Sequence, residues 1–467
     1  MCPLWINTLV VWVLLIVVDG DAIKQTSAPL FPHKPFVVLW NAPTEQCQQR
    51  YKVDLDLDVF DIIANPGETL NGPIVTIYYH NQLGTYPYIE DNGVSINGGI
   101  PQNESLFNHL IKARSDINNS IPMKSFQGLG VIDWEEWRPQ WIRNWGTKDI
   151  YRNKSIQLVQ MKNSQWPESK IKDTAKDEFE RSGKNFMNET LFLAKEMRSD
   201  GYWGYYLYPD CYNYDYKNNP TRYTGKCPLI EIKRNDELLW LWQQSSALYP
   251  SIYLDAILQS SPNALKFVHY RVKEAMRIAS IARTDYALPV YVYDALLCDA
   301  YSYLISQEDL VSTIGESAAM GVAGVVLWGS MQYASTKDNC VAVKKYVEGP
   351  LGHYIVNVTY AAKLCSKALC QKNGRCIRKN SDSYDFLHLP SDSFKILIDQ
   401  SQADKKVTVQ GSLKQEDVQA MNDKFHCQCY QGWEGLSCIC FALIIPYSKL
   451  FMHSLDEVVT LQFGFYL

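Results

Sequence analysis

The chain has 467 residues, 46% hydrophobic and 20% charged, enough for one large domain plus an appendage. Its formal net charge of -5 excludes the basic signature of a nucleic-acid-binding surface. Aromatics reach 13%, with 30 Tyr and 13 Trp; most must fill a core, and the surplus suits faces that stack on sugar rings.

The chain opens on an apolar run, Leu9 to Val18, closed by Asp19-Gly20-Asp21-Ala22. The run is short for a membrane span and lacks a basic flank; it reads as a signal peptide over residues 1–22. Export agrees with 13 cysteines and five glycosylation sequons, at Asn103, Asn118, Asn153, Asn188 and Asn357. A secreted, extracellular protein is expected, with the lysosome or a tethered form as alternatives. The cysteines show no C-x-x-C or Cys/His zinc pattern, so no metal and no cofactor is expected.

From about residue 35 to 360, short apolar runs alternate with amphipathic stretches. The predicted strands are Phe36–Trp40, Ile74–Tyr78, Gly130–Asp133, Trp203–Tyr208, Ser251–Tyr253, Pro289–Tyr293 and Gly324–Trp328. They lack polar/apolar alternation, as strands buried on both faces do. Between them, Ile171, Ala175 and Phe179 follow Pro167 at helical spacing. Leu265, Val268, Val272, Ala275 and Ala279 do the same, and Ser306 with Asp309 forms a capping signal. Strand–helix alternation repeated about seven times predicts a βα barrel or a doubly wound sheet. No Gly-rich dinucleotide loop follows any strand, which favours the barrel.

Barrel enzymes place chemistry at the C-terminal ends of strands. There stand Tyr79, Asp133 with Glu135, Tyr206 with Asp210, Tyr253 and Trp328. Asp133 and Glu135 are two apart, so on a strand they share a face. Two crowded acids cannot both ionise easily; one keeps its proton and can act as a general acid, the equipment for breaking a glycosidic bond. An i, i+2 rise of about 6.5 Å falls between the separations that mark retention and inversion, so the stereochemical outcome stays open on spacing alone.

Beyond about residue 362 the spacing Cys365-x4-Cys370-x5-Cys376 and Cys427-x-Cys429-x8-Cys438 looks like an EGF-like module. It carries a long insertion, in which Val407, Val409 and Leu413 suggest strand content. The expected domains are the signal peptide 1–22, a catalytic barrel 23–361, the module 362–440 and a tail 441–467. The tail is too short and Pro-broken to span a bilayer, and no transmembrane segment is expected.

Val131-Ile-Asp-Trp-Glu-Glu-Trp-Arg-Pro139, Trp203-Gly-Tyr-Tyr-Leu-Tyr-Pro-Asp-Cys-Tyr-Asn213, Ala247-Leu-Tyr-Pro-Ser-Ile-Tyr253 and Gly315-Glu-Ser-Ala-Ala-Met-Gly321 through Trp328 resemble the hyaluronidase family, glycoside hydrolases of vertebrates and bee venom. The resemblance runs from about Phe36 to Cys438. It implies a distorted (β/α) barrel of about seven strands followed by the EGF-like module. It implies an endo-acting hydrolase of hyaluronan, with Glu135 as acid then base and Asp133 holding the acetamido nitrogen. The substrate's acetamido oxygen would be the nucleophile, an exception to the two-carboxylate scheme. Tyr253 would bond the acetamido group, and Tyr79, Tyr206, Asp210 and Trp328 would wall the pocket. Arg138, Tyr293 and Asp299 match positions near the cleft. The implied disulfides are Cys47–Cys340, Cys211–Cys227, Cys365–Cys376, Cys370–Cys427 and Cys429–Cys438, with Cys298 and Cys440 left over.

Chondroitin preference is the alternative within the family. A hyaluronan-binding or adhesion protein with little activity is the alternative outside it; the complete acidic and aromatic set argues against that one. Asp54-x-Asp56-x-Asp58 starts like a calcium loop but has Val59 and Asn65 where Gly and Glu are needed, and reads instead as a solvated strand face. Lys233-Arg234 reads as a surface cluster able to guide an anionic polysaccharide.

Overall fold

The computed structural model describes residues 23–295, 297–298, 303–399 and 406–441. The expected signal peptide, Asp299 and all but the first residue of the tail lie outside the described residues. Seven parallel strands build the barrel: β1 Val37–Asn41, β2 Ile62–Ala64, β3 Val75–Tyr79, β4 Leu129–Asp133, β5 Tyr202–Tyr205, β6 Tyr291–Ala295 and β7 Gly324–Trp328. They form two arcs, in the orders β2-β1-β7-β6 and β3-β4-β5.

Two irregular joints close the arcs. Between β5 and β6, segment 248–251 makes only single bridges, Tyr206 with Tyr249, Leu248 with Val290 and Ser251 with Tyr293. Pro250 lacks the N–H a ladder needs, so the strand expected at Ser251–Tyr253 is replaced by these bridges. Between β2 and β3 the Asn65 side chain replaces a strand. Its Oδ1 accepts from the N–H groups of Ile74 (2.9 Å) and Val75 (3.1 Å), and its Nδ2 donates to the Val75 carbonyl (2.8 Å).

The strands alternate after all, between two apolar environments. Val37, Leu39, Val75, Ile77, Leu129, Val131, Tyr291, Tyr293 and Val326 fill the barrel interior. Val38, Trp40, Tyr78, Ile132, Val292, Val325 and Leu327 pack outward among the helices. Both faces are dry, so the period of two leaves no polar trace in the sequence. The run expected through Tyr208 stops at Tyr205, because Leu207 takes a left-handed φ of 76°.

Among the described residues the α-helices of ten residues or more are α1 Leu106–Ser120, α2 Asp149–Lys162, α3 Glu168–Met197, α4 Pro262–Ile281, α5 Lys337–Tyr346, α6 Gly352–Leu369 and α7 Gln415–Lys424. Ile171, Ala175 and Phe179 form part of the buried stripe of α3, and Ser306 makes its capping box with Asp309. On α4 the buried stripe includes Val268, Val272, Ala275 and Ala279, while Leu265 is only half-buried. Asp56 opens a 3-10 turn and pairs with Lys344 at 2.8 Å, so it is no strand face.

In the C-terminal unit β8 Gly374–Arg378 pairs antiparallel with β11 Phe425–Cys429, and the insertion is the hairpin β9 Phe394–Asp399 with β10 Lys406–Gly411. Helix α6 runs unbroken past residue 361 because Ala361, Ala362 and Cys365 bury together. Five disulfides join Cys47–Cys340, Cys211–Cys227, Cys365–Cys376, Cys370–Cys427 and Cys429–Cys438. Cys440 is disulfide-bonded as well. The unit docks beneath the barrel: Arg375 donates to the Gly321 carbonyl just before β7, and Arg378 forms a buried ion pair with Glu316. Asn103, Asn118 and Asn153 are exposed; Asn188 and Asn357 are half-buried, and Asn357 Oδ1 accepts from the Leu389 N–H.

Candidate active site

Strand parity selects the site. In β1, β3, β4 and β7 the odd or even set that faces inward ends, at the C-terminal tip, on Asn41, Tyr79, Asp133 and Trp328 respectively. These tips ring one opening, with Tyr206 just past β5. Asp133, Glu135, Tyr206, Tyr253, Tyr293, Trp328 and Ile77 line an open pocket of about 350 Å³.

The walls are held ring to ring and hydroxyl to amide. Trp328 Nε1 donates to Tyr79 Oη at 3.1 Å, and Tyr253 stacks on Trp328 with centroids 6.0 Å apart. Tyr206 meets Tyr293 edge-on at 5.1 Å. The Tyr293 hydroxyl donates to Asn41 Oδ1 at 3.3 Å, and Asn41 Nδ2 donates to the Leu70 carbonyl at 2.7 Å. Burial raises the hydroxyl pKa values of Tyr206, Tyr253 and Tyr293, so they stay protonated donors.

Glu135 lies two residues past the end of β4 rather than on it, yet both acids open on the same pocket. Between them Trp134 turns outward and stacks on Tyr86 at 4.5 Å, which anchors the chain as it leaves the sheet. The two carboxyls are unlike. Asp133 is half-buried, its Oδ1 is sealed from solvent without a hydrogen-bond partner, and its carboxyl feels the charge of the neighbouring Glu135. Desolvation first, then the Glu135 charge, hold its pKa well above the carboxylate range, against the pull of Arg138. Glu135 is half-exposed and its Oε2 lies 3.6 Å from Arg138 Nη2. The crowding expected from sequence is present, and Asp133, the less exposed of the two acids, is the one whose pKa it raises.

A loop of donors fixes Glu135 in place. Arg138 Nη1 donates to its carbonyl at 2.8 Å, and Lys148 Nζ donates to the carbonyls of Glu135 and Glu136. Buried Asn144 clamps the next turn, accepting from Arg138 N at 2.8 Å and donating to Arg138 O at 2.9 Å. Lys148, Asn144 and Asn41 were not singled out by sequence. Each acts through backbone or hydroxyl contacts that no residue pattern encodes.

Asp210 departs from the wall role. It lines an adjoining pocket with Arg138 and Arg143, and pairs with Arg143 at 3.0 Å and Arg271 at 3.4 Å. Burial opposes its charge, but Arg271 and Arg143 hold its carboxyl below the usual range. Arg138 stands between the two pockets, with its guanidinium 5.9 Å from the Tyr208 ring centre. Arg234 is tied to Glu231, while Lys233 is exposed. Among the described residues no group of three or more His, Cys, Asp or Glu could hold a metal ion.

The family described as Hyaluronidase, glycoside hydrolase family 56, matches residues 25–440. A hyaluronidase of the viper Echis ocellatus is 59% identical over 439 residues, 94% of this chain and 98% of the relative. Hyaluronidase-1 of Bitis arietans is 59% identical over the same shares. Among solved structures, bee venom hyaluronidase is 33% identical with a TM-score of 0.62, covering 69% of this chain and 99% of that one. Its complex with a hyaluronic acid tetramer is 34% identical with a TM-score of 0.63, covering 68% of this chain and 98% of that one. Match, fold and acid pair together place this chain in the hyaluronidase family of glycoside hydrolases.

Proposed function

We propose that the pocket hydrolyses internal N-acetylhexosaminyl bonds of hyaluronan with retention, using the substrate's own acetamido oxygen as nucleophile. The observation that carries this reading is the unlike acid pair in an aromatic cup. Half-exposed Glu135 faces the open side, where a leaving oxygen can take its proton; the same carboxylate then activates water. Half-buried Asp133 offers an unpartnered oxygen to the acetamido N–H. That hydrogen bond favours the Asp133 anion, so its proton moves toward Glu135 as the substrate seats. The Asp133 charge then stabilises the cyclic cation formed when the acetamido oxygen attacks. Tyr253 and Tyr206 bond the acetamido group, and Tyr79, Trp328 and Tyr293 wall the ring.

The disulfides among the described residues support an oxidising compartment, and we read the chain as secreted. Among the described residues no helix is long and apolar enough to cross a membrane. We read the disulfide-stapled C-terminal unit as an EGF-like module with an inserted hairpin.

The test is Glu135→Gln in the full chain. It keeps shape and removes the proton donor, so turnover of purified hyaluronan should fall by at least about 10³-fold while oligosaccharide binding persists. Near wild-type depolymerisation by that variant would remove Glu135 from the reaction.

A further inference from the structure

We propose that Trp145 and Tyr212, at the rim of the cleft beside the acid, form the subsite that holds the sugar on the leaving side of the scissile bond. This deepens the reading above and rests on it: the ligand is the uronate of the same hyaluronan chain, the ring whose oxygen departs. Neither residue lines the pocket that contains Asp133, so the aromatic cup leaves the departing sugar without a platform.

Glu135 is half-exposed, and a leaving oxygen takes its proton from the open side. Trp145 is tied to that acid by Lys148. The Lys148 backbone N–H donates to the Trp145 carbonyl at 3.3 Å, and its Nζ donates to the Glu135 carbonyl. A single lysine therefore spans the acid and the indole-bearing residue. Buried Asn144 fixes the chain just before Trp145 through its two bonds to Arg138. Tyr212 lies on the exit of the neighbouring strand β5, past Tyr206, which walls the pocket.

Two observations set this rim apart from a stray exposed aromatic. Trp145 is 50% exposed, and Tyr212 stands at 87° to it with ring centres 5.6 Å apart. The Arg143 guanidinium in turn lies 4.9 Å from the Tyr212 ring centre. The indole is thus propped by one ring while half of it stays open. The second observation is backbone strain. Tyr212 sits at a φ of 47°, in the left-handed region that bulky residues avoid. Asp210 holds it there: its Oδ1 accepts from the Tyr212 N–H at 3.0 Å, its Oδ2 accepts from Arg143 at 3.0 Å, and its carbonyl accepts from Asn235 at 2.8 Å. Strain held by converging bonds clusters at ligand sites. The Asp210 network, which does not wall the sugar pocket, sets Tyr212 against Trp145.

A pyranose ring carries C–H groups on its faces and hydroxyls around its edge. A half-open indole meets such a face and leaves the hydroxyls in water. Binding there acts on the transition state only for a substrate that continues past the scissile bond, so it raises kcat/KM for chains and not for ends. Endo action follows from that difference.

The test uses the full chain and two substrates: a hyaluronan octasaccharide, and a hyaluronan oligosaccharide that ends in a β-fluoride of N-acetylglucosamine. The fluoride leaves as an ion and has no ring to rest on the rim. Trp145→Ala should lower kcat/KM on the octasaccharide about tenfold and leave the fluoride substrate unchanged. Trp145→Phe keeps a ring and should recover most of the loss. Trp145→Leu keeps apolar bulk without a flat face and should not; it carries the comparison if the alanine variant fails to fold. Tyr212→Gly, which adopts the same backbone without strain, should show the same split between substrates. Equal losses on both substrates would mean that Trp145 only supports the cleft, and no loss on either would mean that no sugar rests there. Each result overturns the subsite while the catalytic reading stands. A wild type that cleaves neither substrate overturns the catalytic reading and the subsite with it.

Discussion

Asn65→Ala tests how the barrel is closed. The side chain of Asn65 does the work of a strand edge between β2 and β3, and Asn65 itself is 2% exposed. Four of its hydrogen bonds are 3.1 Å or shorter: from Ile74 N, from Val75 N, to Val75 O and to Thr69 O. At a net ~1 kcal/mol each, their loss costs about 4 kcal/mol, because the buried Val75 N–H and carbonyl are left unsatisfied. Water cannot readily replace them: a Cβ on Gly72 would already meet Asn65 at 2.8 Å, so the joint is tightly packed. The control is Asn71→Ala, which removes one bond, from Ile77 N at 2.7 Å, and should cost roughly 1 kcal/mol. Denaturant unfolding of the disulfide-intact chain measures both, and hydrogen exchange at Ile74 and Val75 localises the effect. A loss near 1 kcal/mol for Asn65→Ala, or unchanged protection at those two amides, would refute the side-chain-as-strand account.

Asp133→Asn should lower turnover of hyaluronan by about 10²–10³-fold while Tm at neutral pH holds or rises, since a neutral amide replaces a carboxyl whose ionisation burial opposes; unchanged kinetics would remove Asp133 from the mechanism. Buried Asp294 is raised to about 7, first by desolvation. The unfolded chain gives up that proton near the ordinary 3.8, so the group stabilises the fold at acid pH and that contribution drains away as pH climbs through about 7. Glu68, also raised to about 7 by burial, acts in the same window. Asp294→Asn should therefore flatten the fall in Tm between pH 4.5 and 7.5; an identical slope in the variant would contradict the assignment. Replacing Cys47 and Cys340 by Ser opens a bridge across 293 residues and should cost roughly 3–5 kcal/mol in denaturant unfolding. Lys148→Ala frees the carbonyls of Glu135 and Glu136. It should lower kcat more than KM, with Lys148→Arg restoring part of the rate; an effect on KM alone would show that Lys148 does not position Glu135.

The strand tips were readable because local order alone put them there. Tyr79, Asp133 and Trp328 each end an apolar run, and a period of two brings every such tip to the same mouth once the sheet closes. Glu135 was readable for a different reason. It is two residues from Asp133, and the outward-packed Trp134 between them keeps both acids on one pocket even though the strand has ended.

The arginine partners of Asp210 were not legible because they come from afar: Arg271 is 61 residues away in sequence, and only the packing of α4 against the barrel brings it near. The short β2 escaped because three residues between two 3-10 turns carry no periodic signal. The amino-acid order by itself determined which residues bear the chemistry, through apolar runs that end in acids and aromatics. Only the tertiary structure decided how deeply each acid is set, how Asn65 seals the barrel and which arginines claim Asp210, because burial and charge at those atoms are set by neighbours remote in the chain.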